Sequence, residues 1–149
     1  MTAETPTAPL SRAELVSLSN DIRLACMRIS RRVRFESDRE LPPHHFSVLA
    51  RLDGTPRTNS ELADIERVSA PSMKRTTSAL VEAGYVSRAD DPTDGRQVIL
   101  SLTAEGRKAL RRIRRHRDEW LLERFETLSD DERELLQRAA AVLGKVATK

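Results

Sequence analysis

Two short helix patterns separated by a tight break constrain this chain more than any other feature. Residues 58–61 (Thr-Asn-Ser-Glu) have the form of a capping box, in which the first and last residues satisfy each other's free backbone amides. Ser69 is a second helix cap, and Gly84 supplies the left-handed stop for a helix predicted from Ala70 to about Ala83. Two short helices joined in this way predict a helix-turn-helix.

A β-hairpin is predicted directly after this pair of helices. The segments 85–89 and 97–102 are rich in β-forming residues, and alternate residues of the second segment are apolar. The polar segment 90–96 between them contains an Asp-Gly turn signal. A hairpin in this position is a wing, so residues from about 42 to 103 are predicted to form a winged helix-turn-helix.

Long amphipathic helices flank the winged unit on both sides. Apolar residues recur at helical spacing over about 11–37 and, in two consecutive helices, over about 104–147. Glycine and proline are too sparse for a linker between domains, so residues 11–149 are predicted to form one domain behind a flexible tail, 1–10. The predicted fold class is mainly α (α+β).

Composition narrows the function classes. The 149 residues are 38% hydrophobic, 33% charged and 3% aromatic, which favours a helical protein with much surface over a β-sandwich or a large enzyme. No apolar run approaches the roughly 20 residues of a transmembrane helix, and the N-terminal segment lacks the regions of a signal peptide. We therefore expect a soluble, cytoplasmic protein with no membrane partner.

Patterns that would carry catalysis or hold a metal are missing from the sequence. It has no glycine-rich phosphate loop, no nucleophile motif and no acid–base pair at an interpretable spacing. His44 and His45 are adjacent and so point to different helix faces, and no second cluster completes a coordination sphere. We expect no enzymatic activity, no catalytic residues, no cofactor and no metal site.

The second helix of the motif has the composition of a DNA-recognition helix. Met73, Thr77 and Leu80 are predicted to face inward, which turns small, polar and basic residues outward. The major groove admits such a helix, and Arg or Lys side chains reach guanine there. The residues that we predict to contact DNA are Asn59, Ser60, Ser69, Pro71, Ser72, Lys74, Arg75, Ser78, Arg88, Asp94 and Arg96.

The tip of the wing carries both charge signs. Arg96 follows a glycine and can extend into a narrow minor groove, whose negative potential attracts arginine. Residues 66–100 contain five bases and five acids, so the region has no net charge although the whole chain carries +3. We therefore expect Asp90, Asp91 and Asp94 to orient arginines rather than to repel a duplex.

Together these motifs resemble the MarR family of winged-helix transcription regulators. The matching segments are 61–63, 68–75, 80–88, 91–96 and 100–106. The resemblance implies a homodimer, held by the first and the last two helices, whose winged units bind a pseudo-palindromic double-stranded operator. It also implies a repressor that responds to a small, often anionic aromatic effector. Thr76 and Thr77 stand where the family often has aliphatic residues, which predicts looser packing inside the recognition helix.

A basic stretch on the long helix could serve an effector. Seven basic residues lie between Glu105 and Arg117, and the alternatives are a solvated face, contact with flanking phosphates, or attraction of an anionic effector. His116 and Arg117 fall on the apolar track that leads to Trp120, as expected for a pocket wall or an interface. The predicted effector pocket comprises Arg28, Arg32, His45, His116 and Arg117.

Cys26, the single cysteine, leaves two interpretations open. It shares an apolar stripe with Ile22 and Ile29, which predicts burial in a core. The alternative is a redox-sensing regulator, for which the thiol must be accessible and held as thiolate. A further alternative to DNA binding is a winged-helix module that docks a partner protein, and the salt dependence of binding distinguishes the two.

Overall fold

The computed structural model describes residues 9–36 and 41–148. Over these ranges the elements follow in the order α1 Arg12–Glu36, α2 Pro43–Arg51, β1 Arg57–Thr58, α3 Asn59–Glu66, α4 Ala70–Glu82, β2 Val86–Asp90, β3 Val98–Leu102, α5 Ala104–Phe125 and α6 Asp130–Ala147. The mainly helical fold with a winged helix-turn-helix is confirmed, and residues 41–103 are called the head below. Most of the predicted tail, and the end of the first helix predicted at Ser37, lie outside the described residues.

The helices of the head begin at the capping residues that the sequence indicates. Thr58 Oγ1 accepts a hydrogen bond from the Glu61 amide at 3.2 Å, and the Glu61 carboxylate accepts one from the Thr58 amide at 2.7 Å. Ser69 Oγ accepts from the Ser72 amide at the start of α4. These bonds satisfy amides that would otherwise lack partners at a helix start, and they fix where α3 and α4 begin.

Two left-handed residues shape the helix-turn-helix. Arg67 ends α3 with φ 54° and ψ 46°, and its backbone amide still bonds to the last carbonyls of the helix. Gly84 follows α4 with φ 79°, as predicted from its position after the helix. A left-handed arginine carries a strain of about 1–2 kcal/mol, so the tight turn between α3 and α4 is held by its surroundings.

The sheet has three antiparallel strands over the described residues, in the order β1-β3-β2. Strands β2 and β3 form the predicted wing, and Arg88 pairs with Leu100 at its centre. Strand β1, in which Arg57 pairs with Leu100 and Thr58 with Ile99, was not predicted from the sequence. Two residues are too few to show the alternation by which a strand is recognised.

The core lies in the head and under the first half of α5. Its largest fully buried side chains are Val48, Leu49, Leu62, Thr77, Leu80, Leu100 and Leu110. Thr77 donates from its hydroxyl to Asn59 Oδ1 at 2.7 Å and to the Lys74 carbonyl at 3.2 Å. Thr77 is 0% exposed and its hydroxyl has partners, so the core accommodates this polar side chain. The looser packing expected there stays a prediction.

The two terminal helices, α1 and α6, differ from the head in the burial of their residues. Over their described lengths neither α1 nor α6 contains a buried residue. The burial predicted for Cys26 is therefore wrong for the single chain, and its stripe partners Ile22 and Ile29 are also exposed. Despite these apolar faces, no helix within 9–36 or 41–148 is long and apolar enough to cross a membrane.

Candidate nucleic-acid interface

Helix α4 presents an apolar side to the core and a polar side to solvent. Met73 and Leu80 pack inward, where they are 2% and 0% exposed. Lys74 and Arg75 are exposed on the other side. The other predicted contacts on this helix divide between the exposed Pro71 and the half-buried Ser72 and Ser78. The predicted orientation of α4 is confirmed.

Three cationic side chains from three different elements line one groove. Lys74 comes from α4, Arg88 from β2 and Arg96 from the wing tip, and the groove has a volume of about 640 Å³. The remaining lining residues are Thr58, Asn59, Ser60, Gln97 and Val98. The fold thus gathers positive charge between the recognition helix and the wing, in a region whose net charge is zero. Such a groove attracts a polyanion.

The outer surface of α4 continues this groove. A shallower depression there is lined by Pro71, Lys74, Arg75 and Ser78, among others. Lys74 borders both the depression and the groove next to the wing. The two surfaces are therefore contiguous, and one DNA duplex can lie across both.

The aspartates of the wing stabilise its turn. Asp91 Oδ1 accepts hydrogen bonds from the Thr93 amide at 2.8 Å and the Thr93 hydroxyl at 2.7 Å, and these bonds lower the pKa of Asp91. Asp94 accepts from the Arg96 amide at 3.1 Å and from Gln97 Nε2 at 3.2 Å. Asp94 therefore holds the backbone of Arg96, as expected of a carboxylate that orients an arginine, whereas the expectation is wrong for Asp91, which binds Thr93 and the Asp94 amide.

Three predicted DNA contacts, Asn59, Ser78 and Arg88, bond to a side chain of a different helix or strand. Asn59 Oδ1 accepts from Thr77, so its carbonyl holds α3 to α4. Arg88 Nη2 donates to Ser78 Oγ at 2.9 Å, which joins the wing to α4. Sequence reasoning missed these bonds because each joins residues ten or more positions apart in different elements. Of the remaining predicted contacts, Ser60 and Ser69 are exposed at the starts of α3 and α4.

The two histidines of the predicted effector pocket line different cavities. His45 lies in a cavity of about 430 Å³ between α2 and α4, which Met73 and Arg75 also line. Burial lowers the pKa of His45, and the neighbouring His44 adds to the effect. His116 borders another cavity, of about 290 Å³, with Trp120 and three glutamates. Among the side chains that the structure describes, no group of three or more His, Cys, Asp or Glu is placed to hold a metal ion.

The arginines of that set pack on aromatic rings or face solvent. The Arg117 guanidinium lies 3.6 Å from the centre of the Phe46 ring. Arg32 lies 5.7 Å from the Trp120 ring and pairs with a glutamate at 2.9 Å. Arg28 is exposed on α1. In the single chain these five residues do not line one cavity. A polar residue on an apolar helix face indicates a pocket wall, but it also occurs where an arginine stacks on an aromatic ring, as Arg117 does.

Part of the basic stretch on α5 is used to hold the head. Arg114 pairs with Asp53 at 2.8 Å, and Arg107 donates to the Leu102 carbonyl at 2.9 Å. Lys108 pairs with Glu105 on the same helix. The Arg114 and Arg107 contacts fix α5 against the turn after α2 and against the end of β3. Contacts within the chain, which were not among the predicted alternatives, therefore account for part of this stretch.

A helix-turn-helix with a charged groove beside its wing defines a winged-helix DNA-binding protein. A model of the MarR family matches residues 40–97. An HTH-type transcriptional regulator of Mycobacterium tuberculosis is 40% identical over 130 residues, which are 85% of this chain and 90% of that protein. An uncharacterized HTH-type transcriptional regulator of Mycobacterium leprae is 38% identical over 130 residues, which are again 85% of this chain and 90% of that protein. The chain belongs to the MarR family of winged-helix transcriptional regulators.

Solved structures show the same fold. A protein from Pseudomonas aeruginosa PA01, solved as a transcriptional regulator, superposes with a TM-score of 0.80 and 29% identity, covering 94% of this chain and 99% of that one. A MarR transcriptional regulator from Methanosarcina mazei Go1 gives a TM-score of 0.64 at 21% identity, covering 87% and 97%. The similarity to the Methanosarcina mazei structure, at 21% identity, shows a shared fold and nothing further.

Proposed function

We propose that this regulator binds a specific double-stranded operator as a homodimer and represses transcription from it. The observation that carries the proposal is the groove in which Lys74, Arg88 and Arg96 converge beside the exposed face of α4. A duplex offers a regular row of phosphates to such a groove, and base edges to the helix beside it.

Each side of the interface has its own part in recognition. Helix α4 enters the major groove, where Arg75 reaches a guanine. Arg96 extends from the wing into the adjacent minor groove. The hydroxyls of Ser60, Ser69 and Ser72 at the helix starts contact phosphates and set the position of the head along the duplex.

The terminal helices provide the dimer. Apolar side chains stay exposed along α1 and α6, among them Leu15 at 52%, Leu135 at 58% and Val146 at 69%. Obligate homodimers bury apolar surface of this kind. Two heads related by a twofold axis bind two half-sites about 34 Å apart, which makes the operator pseudo-palindromic.

A small effector bound next to Arg75 can interfere with the DNA contact that we propose for this residue. The cavity of about 430 Å³ between α2 and α4 is within the size range of small-molecule sites, and Arg75 is in its wall. The effector class that we propose is a small anionic aromatic compound. Benzoate should then release the operator, whereas the neutral analogue benzamide should leave it bound. Equal effects of both compounds would contradict an anion-responsive site.

Selection of duplexes from a random pool tests the function directly. The Arg75→Ala dimer should bind the selected operator more weakly by about 1–3 kcal/mol per half-site and lose preference at one base pair. The Arg96→Ala dimer should bind all duplexes more weakly and show a flatter salt dependence. Arg138→Ala, which removes an exposed arginine of α6, is the matched control and should bind as the parent does. Failure to select any sequence would contradict the proposal.

A further inference from the structure

One hydrogen bond ties the wing to the recognition helix. Arg88 Nη2, from strand β2, donates to Ser78 Oγ, from α4, at 2.9 Å. The two residues are ten positions apart and belong to the two elements that the proposed function places in adjacent grooves of DNA. Their contact is therefore a direct link between major-groove and minor-groove recognition.

The sheet explains why Arg88 reaches α4. It lies directly opposite Leu100 in the antiparallel ladder, and residues in that relation project from the same face of a sheet. Val86, two residues earlier on that face, is 2% exposed, and Leu100 is 0% exposed. Arg88 thus lies on the face of the hairpin that packs on the core, at the point where the side chains become exposed. Its long side chain contacts α4 there.

On the helix, Ser78 is next to the residues proposed to contact DNA. It follows Lys74 by four positions and Arg75 by three, and helical residues at these spacings are surface neighbours. A guanidinium has five N–H donors in a rigid fork, and the bond to Ser78 uses one nitrogen. Arg88 can therefore hold α4 and still contribute charge to the groove that it lines with Lys74 and Arg96.

We propose that Arg88 is a positioning residue that acts through Ser78 and sets the distance between the wing tip and α4. This inference rests on the proposed function. Its consequence is specificity for spacing: the dimer prefers operators in which a fixed number of base pairs separates the base contacted by Arg75 from the minor-groove site of Arg96. DNA over the groove excludes water from the bond and strengthens it, since hydrogen bonds are stronger at low local dielectric.

A double-mutant cycle with operators of altered spacing tests the link. Ser78→Ala removes the acceptor and leaves every charge in place, and it should weaken operator binding about two- to twelvefold per half-site, the effect of one net hydrogen bond. Combined with Arg88→Ala it should add no further loss. Ser78→Ala and Arg88→Lys should also tolerate one base pair inserted or removed between the two contact sites, which the parent should reject.

Two matched variants separate positioning from other roles. Ser78→Thr keeps the hydroxyl and should retain the affinity and the spacing preference of the parent. Ser87→Ala removes the neighbouring hydroxyl of β2, which contacts the Ser101 carbonyl within the hairpin, and should bind as the parent does. Reductions in affinity from Ser78→Ala and Arg88→Ala that simply add, with unchanged spacing preference, would overturn this inference alone. A parent that binds no duplex would overturn the proposed function and this inference with it.

Discussion

The head and the terminal helices bury their apolar residues in opposite ways. In the head a single chain closes its own core: Leu49, Leu62 and Leu80 are each 0% exposed. Along Arg12–Glu36 and Asp130–Ala147 no residue is buried, although both helices carry apolar stripes. The same hydrophobic periodicity therefore leads to intramolecular packing in one region and to an uncovered face in the other.

This difference separates two tasks within one small chain. The head and the first half of α5 can fold and place the groove without a second chain, because together they complete the core. The terminal helices bury little apolar surface within a single chain. We propose that a second copy of the chain covers their apolar faces and forms the other half of the dimer interface. DNA contact and assembly should therefore respond to different substitutions.

The largest effect is expected in the core of the head. Leu80→Ala removes a fully buried side chain and should lower the free energy of unfolding by about 2–5 kcal/mol. Leu135→Ala makes the same truncation on α6, where the residue is 58% exposed, and should cost less than about 1 kcal/mol in dissociated chains. Urea denaturation of both variants at low protein concentration measures the two values. Equal costs would contradict a core that closes within one chain.

A charge on α6 should act on assembly. Val142→Asp places a carboxylate at a residue that is 59% exposed in the single chain, so the head should stay folded. In a dimer the carboxylate is buried without a partner, which should raise the dissociation constant at least about 100-fold. Sedimentation equilibrium measures this change. Gln137→Asp, on the opposite side of α6, is the control, and an equal effect there would show that the stripe is not the interface.

A smaller effect concerns pH. Burial holds the pKa of His45 below its usual value of 6.5, so the folded head favours the neutral ring. The unfolded chain then binds more protons, and this contribution to stability is present above pH 6.5 and lost as the pH falls through the lowered pKa. In His45→Gln the decline in unfolding free energy on acidification should be shallower than in the parent. Identical declines in denaturation series would contradict the assignment to His45.

The smallest effect is expected at Cys26. Its thiol is exposed in the single chain, so Cys26→Ser should change the free energy of unfolding by no more than about 0.5 kcal/mol. We expect peroxide to leave operator binding unchanged in the parent and in the variant. Release of DNA by peroxide from the parent but not from Cys26→Ser would instead establish a redox-sensing regulator.

Local chemistry made the head predictable from the sequence. The capping residues Thr58 and Ser69 and the left-handed Gly84 each act within a few positions, and the structure has all three in the predicted roles. The inward side of α4 follows from helical periodicity, and Met73 and Leu80 lie there as expected.

Long-range contacts account for what the sequence did not reveal. The Arg88–Ser78 and Asn59–Thr77 bonds join different elements, and no local pattern marks them. The exposure of Cys26 was missed for a related reason. An apolar stripe predicts that a face will be covered, but the stripe is the same whether the cover comes from this chain or from a second one.

The salt dependence of operator binding tests the central claim most directly, because it reports the phosphate charges that the head neutralises. For the parent dimer the logarithm of the binding constant should fall linearly with the logarithm of salt concentration. Arg96→Ala should flatten that line by about one unit for each phosphate that a head no longer neutralises. A binding constant that does not vary with salt, or an equal slope for parent and Arg96→Ala, would contradict a head that binds DNA through this groove.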